Sequence, residues 1–242
     1  MGESVAFVYN VHKTIAKIMD AVHMKDRMTI RATSAPPARS TYRHGDLRRA
    51  LLQAGVELAR DGGPEAVVLR EATRRAGVVP NAAYRHFESR QALLQAVRAA
   101  ALAAVARAME TELATLRPTH DQVAFARATV RAVGTGYLRF AQSETGLFRT
   151  AFATQVDVEA QPDQAKSGDS GLNPFQLLGA ALDRLVEAGA LPASRRPGAE
   201  YLAWSTVHGL AMLVIDGPLR ALPRDQVDAL GQRLLDMVEQ GL

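Results

Sequence analysis

The chain contains no cysteine. That absence excludes disulfides, thiolate nucleophiles and cysteine-based zinc or iron–sulfur sites. Aromatic residues make up only 5% of the 242 positions, so a core must be built mainly from alanine, leucine and valine. Such side chains suit closely packed helices better than an aromatic-rich β-sandwich. No uninterrupted apolar run approaches the ~18 residues that a membrane span needs. No stretch alternates polar and apolar residues with the period of a strand. The opening Met1-Gly2-Glu3-Ser4 lacks a basic stretch, which argues against a secretory signal and for a cytoplasmic protein with no membrane partner. The histidines (His12, His23, His44, His86, His120 and His208) show no pair at metal-ligand spacing, so neither a metal site nor another cofactor is expected.

What is present can fold. Hydrophobic residues make up 48% and charged residues 22%, a balance that buries a core. The net charge of +4 is unevenly spread: residues 1–90 carry 15 Lys+Arg against 9 Asp+Glu, and residues 91–242 carry 14 against 16. A basic front and a mildly acidic back fit a front that faces a polyanion, although ordinary surface variation produces such a bias too.

Residues 1–40 differ from the rest. Val8, Val11, Ile15, Ile18 and Val22 make a helical apolar stripe, and Ala35-Pro36-Pro37 reads as part of a flexible linker. The segment is either an accessory helix or a poorly ordered extension, with Met24 or Met28 as an alternative start. From Gly45 onward the pattern is helical. Leu47, Leu51, Ala54 and Leu58 form one stripe, ended by Asp61-Gly62-Gly63-Pro64. Leu69, Ala72 and Ala76 mark a short helix, and Pro80 begins another. Ser89 caps a long alanine-rich helix bearing Leu93, Val97, Ala101, Val105 and Met109, stopped by Pro118. Thr119 with Gln122 predicts a capping box for a helix bearing Val123, Val130, Tyr137 and Phe140. A short segment follows around Leu147 to Phe152, and residues 155–172 read as a mobile polar loop. Asn173-Pro174 opens a helix closed by Gly189; another runs from about Gly198 to Asp216; a last one carries Val227, Leu230 and Leu234. The fold class is all-α.

Residues 66–87 carry the chemistry. Two short helices are joined by Ala76-Gly77-Val78-Val79, and Gly77 permits the positive φ of a tight corner. Ala72, Ala76 and Ala83 let the helices cross closely, with Leu69, Val78 and Phe87 filling the wedge. This is the design of a helix-turn-helix, whose second helix enters the DNA major groove. A helical hairpin alone is also a common element of bundles. The outward residues of the second helix are Pro80, Asn81, Tyr84, Arg85 and His86. Asparagine can hold adenine with a bidentate pair, and tyrosine and histidine can donate to phosphates.

Tyr42-Arg43-His44-Gly45-Asp46-Leu47-Arg48, Leu69-Arg70-Glu71-Ala72, Ala76-Gly77-Val78 and Ala83-Tyr84-Arg85-His86-Phe87, followed by Ser89-Arg90 and Leu93-Leu94, resemble the N-terminal domain of TetR-family transcriptional regulators. Trp204, His208 and Gly209 are similar to the Trp-His-Gly signature of one C-terminal subclass. The resemblance implies a three-helix DNA-binding domain with a helix-turn-helix over 41–88, after an extension over 1–40. It implies a helical ligand-binding and dimerisation domain over 89–242. The implied function is a ligand-responsive, sequence-specific regulator, a repressor released from a palindromic operator by a small-molecule inducer. Its partners would be double-stranded DNA, a small-molecule effector and a second copy in a homodimer, with no catalytic residue. By the same resemblance Tyr84, His86 and Arg90 contact phosphates, Asn81 and Arg85 face base edges, and Arg43 reaches the minor groove or backbone. Arg70 and Pro80 complete the DNA-facing set. Two helix-start positions depart from the family pattern: Val79 and Val68 stand where Ser or Thr is usual, forfeiting a cap worth about 1 kcal/mol each. Thr73 stands where Ala is typical.

Other features carry bland readings beside sharp ones. Gly168-Asp169-Ser170-Gly171 matches a string found around protease nucleophiles but lies in a polar loop of a helical chain, and is coincidental. Gly134-Thr135-Gly136 is half a dinucleotide fingerprint with no preceding strand, so a close helix contact is expected. Tyr137, Phe140, Phe148, Phe152, Trp204 and His208 are candidates to line an effector pocket, or else fill core. The dimer would use the helices at about 174–188 and 198–216. The rival classes are an enzyme acting in an apolar cavity and a helical adaptor whose front hairpin binds protein.

Overall fold

The computed structural model describes residues 44–153 and 163–242. The stripe from Val8 to Val22, the linker and Arg43 lie outside the described residues. All nine α-helices described are joined by turns, short 3-10 segments and loops, and no strand occurs among the described residues. In chain order they are α1 (His44–Gly62), α2 (Leu69–Arg75), α3 (Pro80–Ala83), α4 (Arg90–Ala114), α5 (Gln122–Ser143), α6 (Thr145–Phe152), α7 (Pro174–Glu187), α8 (Ala199–Ile215) and α9 (Arg224–Gly241).

Two compact units result. The front unit takes α1 to α3, α4 as far as Ala101, and α6 from Gly146 onward. The back unit takes α4 from Leu102, α5, and α7 to α9.

In the front unit, Leu51, Ala54 and Leu58 of α1 are buried as their spacing predicts, with Leu69, Ala72, Ala83 and Phe87 also in the core. Close approaches fix the packing. A Cβ at Gly55 would lie 2.7 Å from Val97 Cγ2, and one at Gly146 would lie 2.3 Å from the carbonyl oxygens of Ala59 and Arg60. Ser89 caps α4 as expected, its Oγ accepting from Ala92 N at 3.1 Å. Among the described residues one helix, α4, is long and apolar enough by composition to cross a membrane, although no uninterrupted apolar run in it reaches ~18 residues. Arg98 and Arg107 interrupt its apolar runs, which hides it from that criterion. Half of the apolar window is buried by protein.

In the back unit, α5 packs against α7, α8 and α9. Gly134 and Gly136 are the close contacts expected: a Cβ at Gly136 would lie 2.6 Å from Met109 Cα, and one at Gly134 would lie 2.4 Å from Leu235 Cδ2. The start of α5 differs from the expectation. Its cap is Asp121, which accepts from Ala124 N at 2.9 Å. Thr119 lies two residues too early, and braces the loop by donating to Asp121 O at 2.9 Å. The start of α7 is a full capping box, with Asn173 Oδ1 accepting from Gln176 N at 2.9 Å and Gln176 Oε1 accepting from Asn173 N at 3.0 Å.

The loop expected to be mobile over 155–172 is anchored in its described part. Glu110 of α4 is only 5% exposed, and its carboxylate accepts from the backbone N–H groups of Asp169 at 2.8 Å and Ser170 at 2.9 Å. Gly168 fits because a Cβ there would lie 2.5 Å from both carboxylate oxygens. The Gly-Asp-Ser-Gly string is thus a cradle for a buried carboxylate, and Ser170 Oγ accepts from Leu172 N at 3.2 Å.

Candidate nucleic-acid interface

The corner between α2 and α3 is built by backbone hydrogen bonds. Gly77 takes φ 68°, its N–H donates to Arg74 O at 3.2 Å, and the N–H of Val78 donates to Thr73 O at 3.0 Å. This paired closure ends a helix on a left-handed residue, and glycine adopts that conformation without a Cβ penalty. Thr73, buried where the family favours alanine, satisfies its hydroxyl by donating to Arg70 O at 2.6 Å. Ala83 and Phe87 are buried under the corner, and Arg48 of α1 lies over the Phe87 ring, 4.9 Å from its centroid. Sequence does not single out Arg48 for this role; its position one turn before Leu51 gives no signal beyond charge.

α3 is a single turn, and Tyr84 forms its C-cap. Asn81, Tyr84, Arg85 and Pro80 are exposed and His86 is partly so. Arg70 of α2 is exposed, and neither Arg70 nor Arg85 forms an ion pair among the described residues. The other arginines of α2 are engaged. Arg74 pairs with Glu71 at 2.6 Å and Arg75 with Asp61 at 3.0 Å. The Arg74 hydrogen bond holds the Glu71 carboxyl below its ordinary pKa. Arg90, expected to reach a phosphate, is exposed and donates to three backbone carbonyls through Nε and Nη2, of Val67 at 2.8 Å, Pro64 at 2.9 Å and Glu65 at 3.4 Å. Val68 and Val79 are the N-caps of α2 and α3, and neither helix start has a side-chain cap. Between the two helices lies an open groove of about 610 Å³ lined by Val68, Arg70, Thr73, Val78 and Pro80, among others.

The six aromatic candidates divide. Tyr137 of α5 and Trp204 and His208 of α8 form one chain: Trp204 Nε1 donates to Tyr137 Oη at 3.2 Å, and Tyr137 Oη lies 2.7 Å from His208 Nδ1. With Nδ1 as acceptor, the hydroxyl receives one hydrogen bond and gives another. Burial pushes the Tyr137 hydroxyl well above the usual phenol range, and the hydrogen bond from Trp204 opposes this. Burial also lowers the pKa of His208, so the imidazole is neutral near pH 7. Phe175, which the sequence does not single out, continues the ring contacts, 6.0 Å from Trp204 and 5.4 Å from Tyr201. Phe148 and Phe152 pair with each other in the front unit, ring centroids 4.9 Å apart. Phe140 is buried in the back unit. Among the described residues no group of three His, Asp or Glu side chains could hold a metal ion.

A corner of this kind, with an exposed turn carrying Asn, Tyr and Arg ahead of a helical body, defines the helix-turn-helix DNA-binding proteins. Comparison with known proteins specifies the class. The profile of bacterial regulatory proteins of the tetR family matches residues 51–97, and that of the tetracyclin repressor-like C-terminal domain matches residues 130–238. A protein of unknown function from Rhodococcus sp. RHA1 is 26% identical, with a TM-score of 0.65, over 84% of this chain and 99% of that one. TetR from Acinetobacter baumannii AYE is 20% identical, with a TM-score of 0.53, over 79% of this chain and 93% of that one. A single-substitution variant of that regulator, in complex with minocycline, is 21% identical, with a TM-score of 0.51, over the same shares of 79% and 93%. No curated protein matches the chain. The chain belongs to the TetR family. It is a ligand-responsive, DNA-binding transcriptional regulator.

Proposed function

We propose that this regulator is a cytoplasmic repressor rather than an enzyme, released from a palindromic operator when a small molecule binds its back unit. Residues 41–88 form the DNA-binding domain and residues 89–242 the ligand-binding and dimerisation domain, with 1–40 an extension. The observation that carries this reading is the exposure of Asn81, Tyr84 and Arg85 on the turn after the Gly77 corner. Asn81 and Arg85 face base edges, while Tyr84 and His86 contact phosphates, with Arg70 and Pro80 beside them. Arg90 braces the start of α2 through Nε and Nη2, which donate to carbonyls at 64, 65 and 67, and presents the rest of its exposed guanidinium to a phosphate.

The effector site centres on Tyr137, Trp204 and His208, whose hydrogen-bond chain an incoming polar group would compete with. The Trp-His-Gly subclass fits this body, with Gly209 directly after His208. The complex of the Acinetobacter regulator with minocycline is an instance of a small molecule held by the same fold. Binding shifts the population between a DNA-competent state and one that is not.

For the dimer face we favour α8 with α9 over the pairing of α7 with α8. In the back unit α8 exposes Tyr201, Leu202 and Leu213, α9 exposes Met237 and α5 exposes Val123, while α7 exposes no large apolar residue. On α8, Leu202, Ser205, Gly209 and Leu213 recur at helical spacing, and a Cβ at Gly209 would meet nothing within 4 Å. A groove of about 200 Å³ between the two helices is lined by Leu202, Thr206, Met237 and Gly241. A symmetric four-helix face made of α8, α9 and their mates covers these residues. The recognition turns of such a dimer read half-sites about 34–36 Å apart.

The test is selection of duplexes from a random pool by the full chain. The expected result is a palindromic consensus whose binding weakens steeply with salt. Recovery of no consensus at moderate salt would overturn the regulator reading.

A further inference from the structure

Val79 is the most exposed large hydrophobic residue among those described, at 69%. Two others of that small set, Val68 at 43% and Tyr84 at 56%, lie in the same stretch of chain. Local physics does not account for a valine there. The position is the N-cap of α3, where Ser, Thr, Asp or Asn would accept from an orphan N–H, and valine cannot. Its backbone, φ −72° and ψ 144°, is ordinary extended chain that any residue adopts, so conformation does not demand it. Its methyl groups bury little within the chain. A β-branched apolar side chain that neither caps nor packs offers one kind of interaction, apolar contact with something outside the chain.

The surroundings say what that something is. Val79 directly precedes Pro80 and Asn81 on the exposed turn, and Arg70, Val68 and Pro80 line the adjoining groove. In the DNA major groove the apolar group on offer to a side chain is the 5-methyl of thymine. We propose that Val79 is a specificity-determining residue that packs against a thymine 5-methyl in each operator half-site. This rests on the reading that the α3 turn enters the major groove. Valine in place of a capping hydroxyl then exchanges a local hydrogen bond for recognition of a methyl group, while Pro80 at the first helical position leaves one fewer orphan N–H at the helix start.

The experiment uses the full chain and a duplex selected from a random pool, with each thymine replaced in turn by deoxyuridine in both half-sites. Deoxyuridine keeps the pairing edge and lacks only the methyl. At one thymine per half-site, the replacement should weaken wild-type binding about fourfold per half-site, the factor that one buried methyl supports. Val79→Ser should bind the thymine and deoxyuridine duplexes equally, so that the two changes are not additive. Val79→Thr, which retains a methyl, should keep the sensitivity, and melting curves of both variants establish that they fold. Sequence-specific binding by the wild type that is indifferent to every thymine methyl, or the same loss in Val79→Ser as in wild type, overturns this proposal and leaves the operator reading intact. A chain that prefers no duplex overturns both.

Discussion

Replacing Glu110 with glutamine tests how the 163–172 segment is held. The carboxylate is 5% exposed and accepts two successive backbone N–H groups, at 2.8 and 2.9 Å. Glutamine preserves the shape but turns one acceptor into an NH2 that faces an N–H. One charge-assisted hydrogen bond is lost outright and the other becomes neutral, while a buried donor is left unpaired. Together these should cost about 2–3 kcal/mol. At this chain length ~1 kcal/mol corresponds to about 2–4 °C in Tm, so Glu110→Gln should lower Tm by roughly 4–12 °C. Calorimetry reads this directly. Limited proteolysis adds a local readout, because cleavage within 163–172 should accelerate more than elsewhere. Gly168→Ala should act in the same direction, since its Cβ would lie 2.5 Å from both carboxylate oxygens. A Glu110→Gln protein that melts with the wild type and is cut at the wild-type rate would refute the claim that the carboxylate anchors the loop.

Tyr137→Phe removes the hydroxyl that joins Trp204 to His208, and should destabilise the chain by about 1–3 kcal/mol in a melting experiment. A shift below about 1 °C would place the hydroxyl outside the energetics of the fold. His208 makes stability depend on pH. Burial lowers its pKa in the folded chain, so the unfolded chain binds the proton first as pH falls below the ordinary value of about 6.5. Its share of stability is therefore intact above that pH and declines from there toward the depressed folded pKa, a decline that His208→Gln should remove from the urea midpoint measured at about pH 7 and about pH 5. Leu202→Glu with Met237→Glu should yield monomers in sedimentation, because both residues stand on the α8–α9 face; a dimer of wild-type mass would put the interface elsewhere.

Legibility in the sequence follows the range of the interactions. The Gly77 corner, the helix start at Asn173-Pro174 and the Ser89 cap are local, set by residues close in sequence, and are readable from single motifs. Gly134 and Gly136 are readable as close contacts from residue type, though not what they approach, Leu235 and Met109. Glu110 is invisible because its partners lie 59 and 60 residues away and are backbone groups, which carry no sequence signature. For the same reason the polar Gly-rich loop looks mobile in sequence. Arg90 sits in a family motif that implies phosphate contact, and its bonds to carbonyls 23 to 26 residues earlier carry no signal in that motif. Among the aromatics, period and type cannot separate Tyr137, Trp204 and His208 from Phe148 and Phe152, because the division depends on which unit each helix joins. The regular leucines of α7 read equally as core or interface in sequence, and within the chain they are buried in the back unit.

The central claim is that the turn after Gly77 presents Asn81 and Tyr84 to a duplex. Binding of the full chain to its selected duplex, and to the same duplex altered one base pair at a time, tests it most directly when repeated with Asn81→Ala and Tyr84→Phe. The account predicts that Asn81→Ala relaxes discrimination at one base pair per half-site by ~1–3 kcal/mol, whereas Tyr84→Phe weakens all duplexes alike. Wild-type affinity and wild-type discrimination in both variants would contradict it.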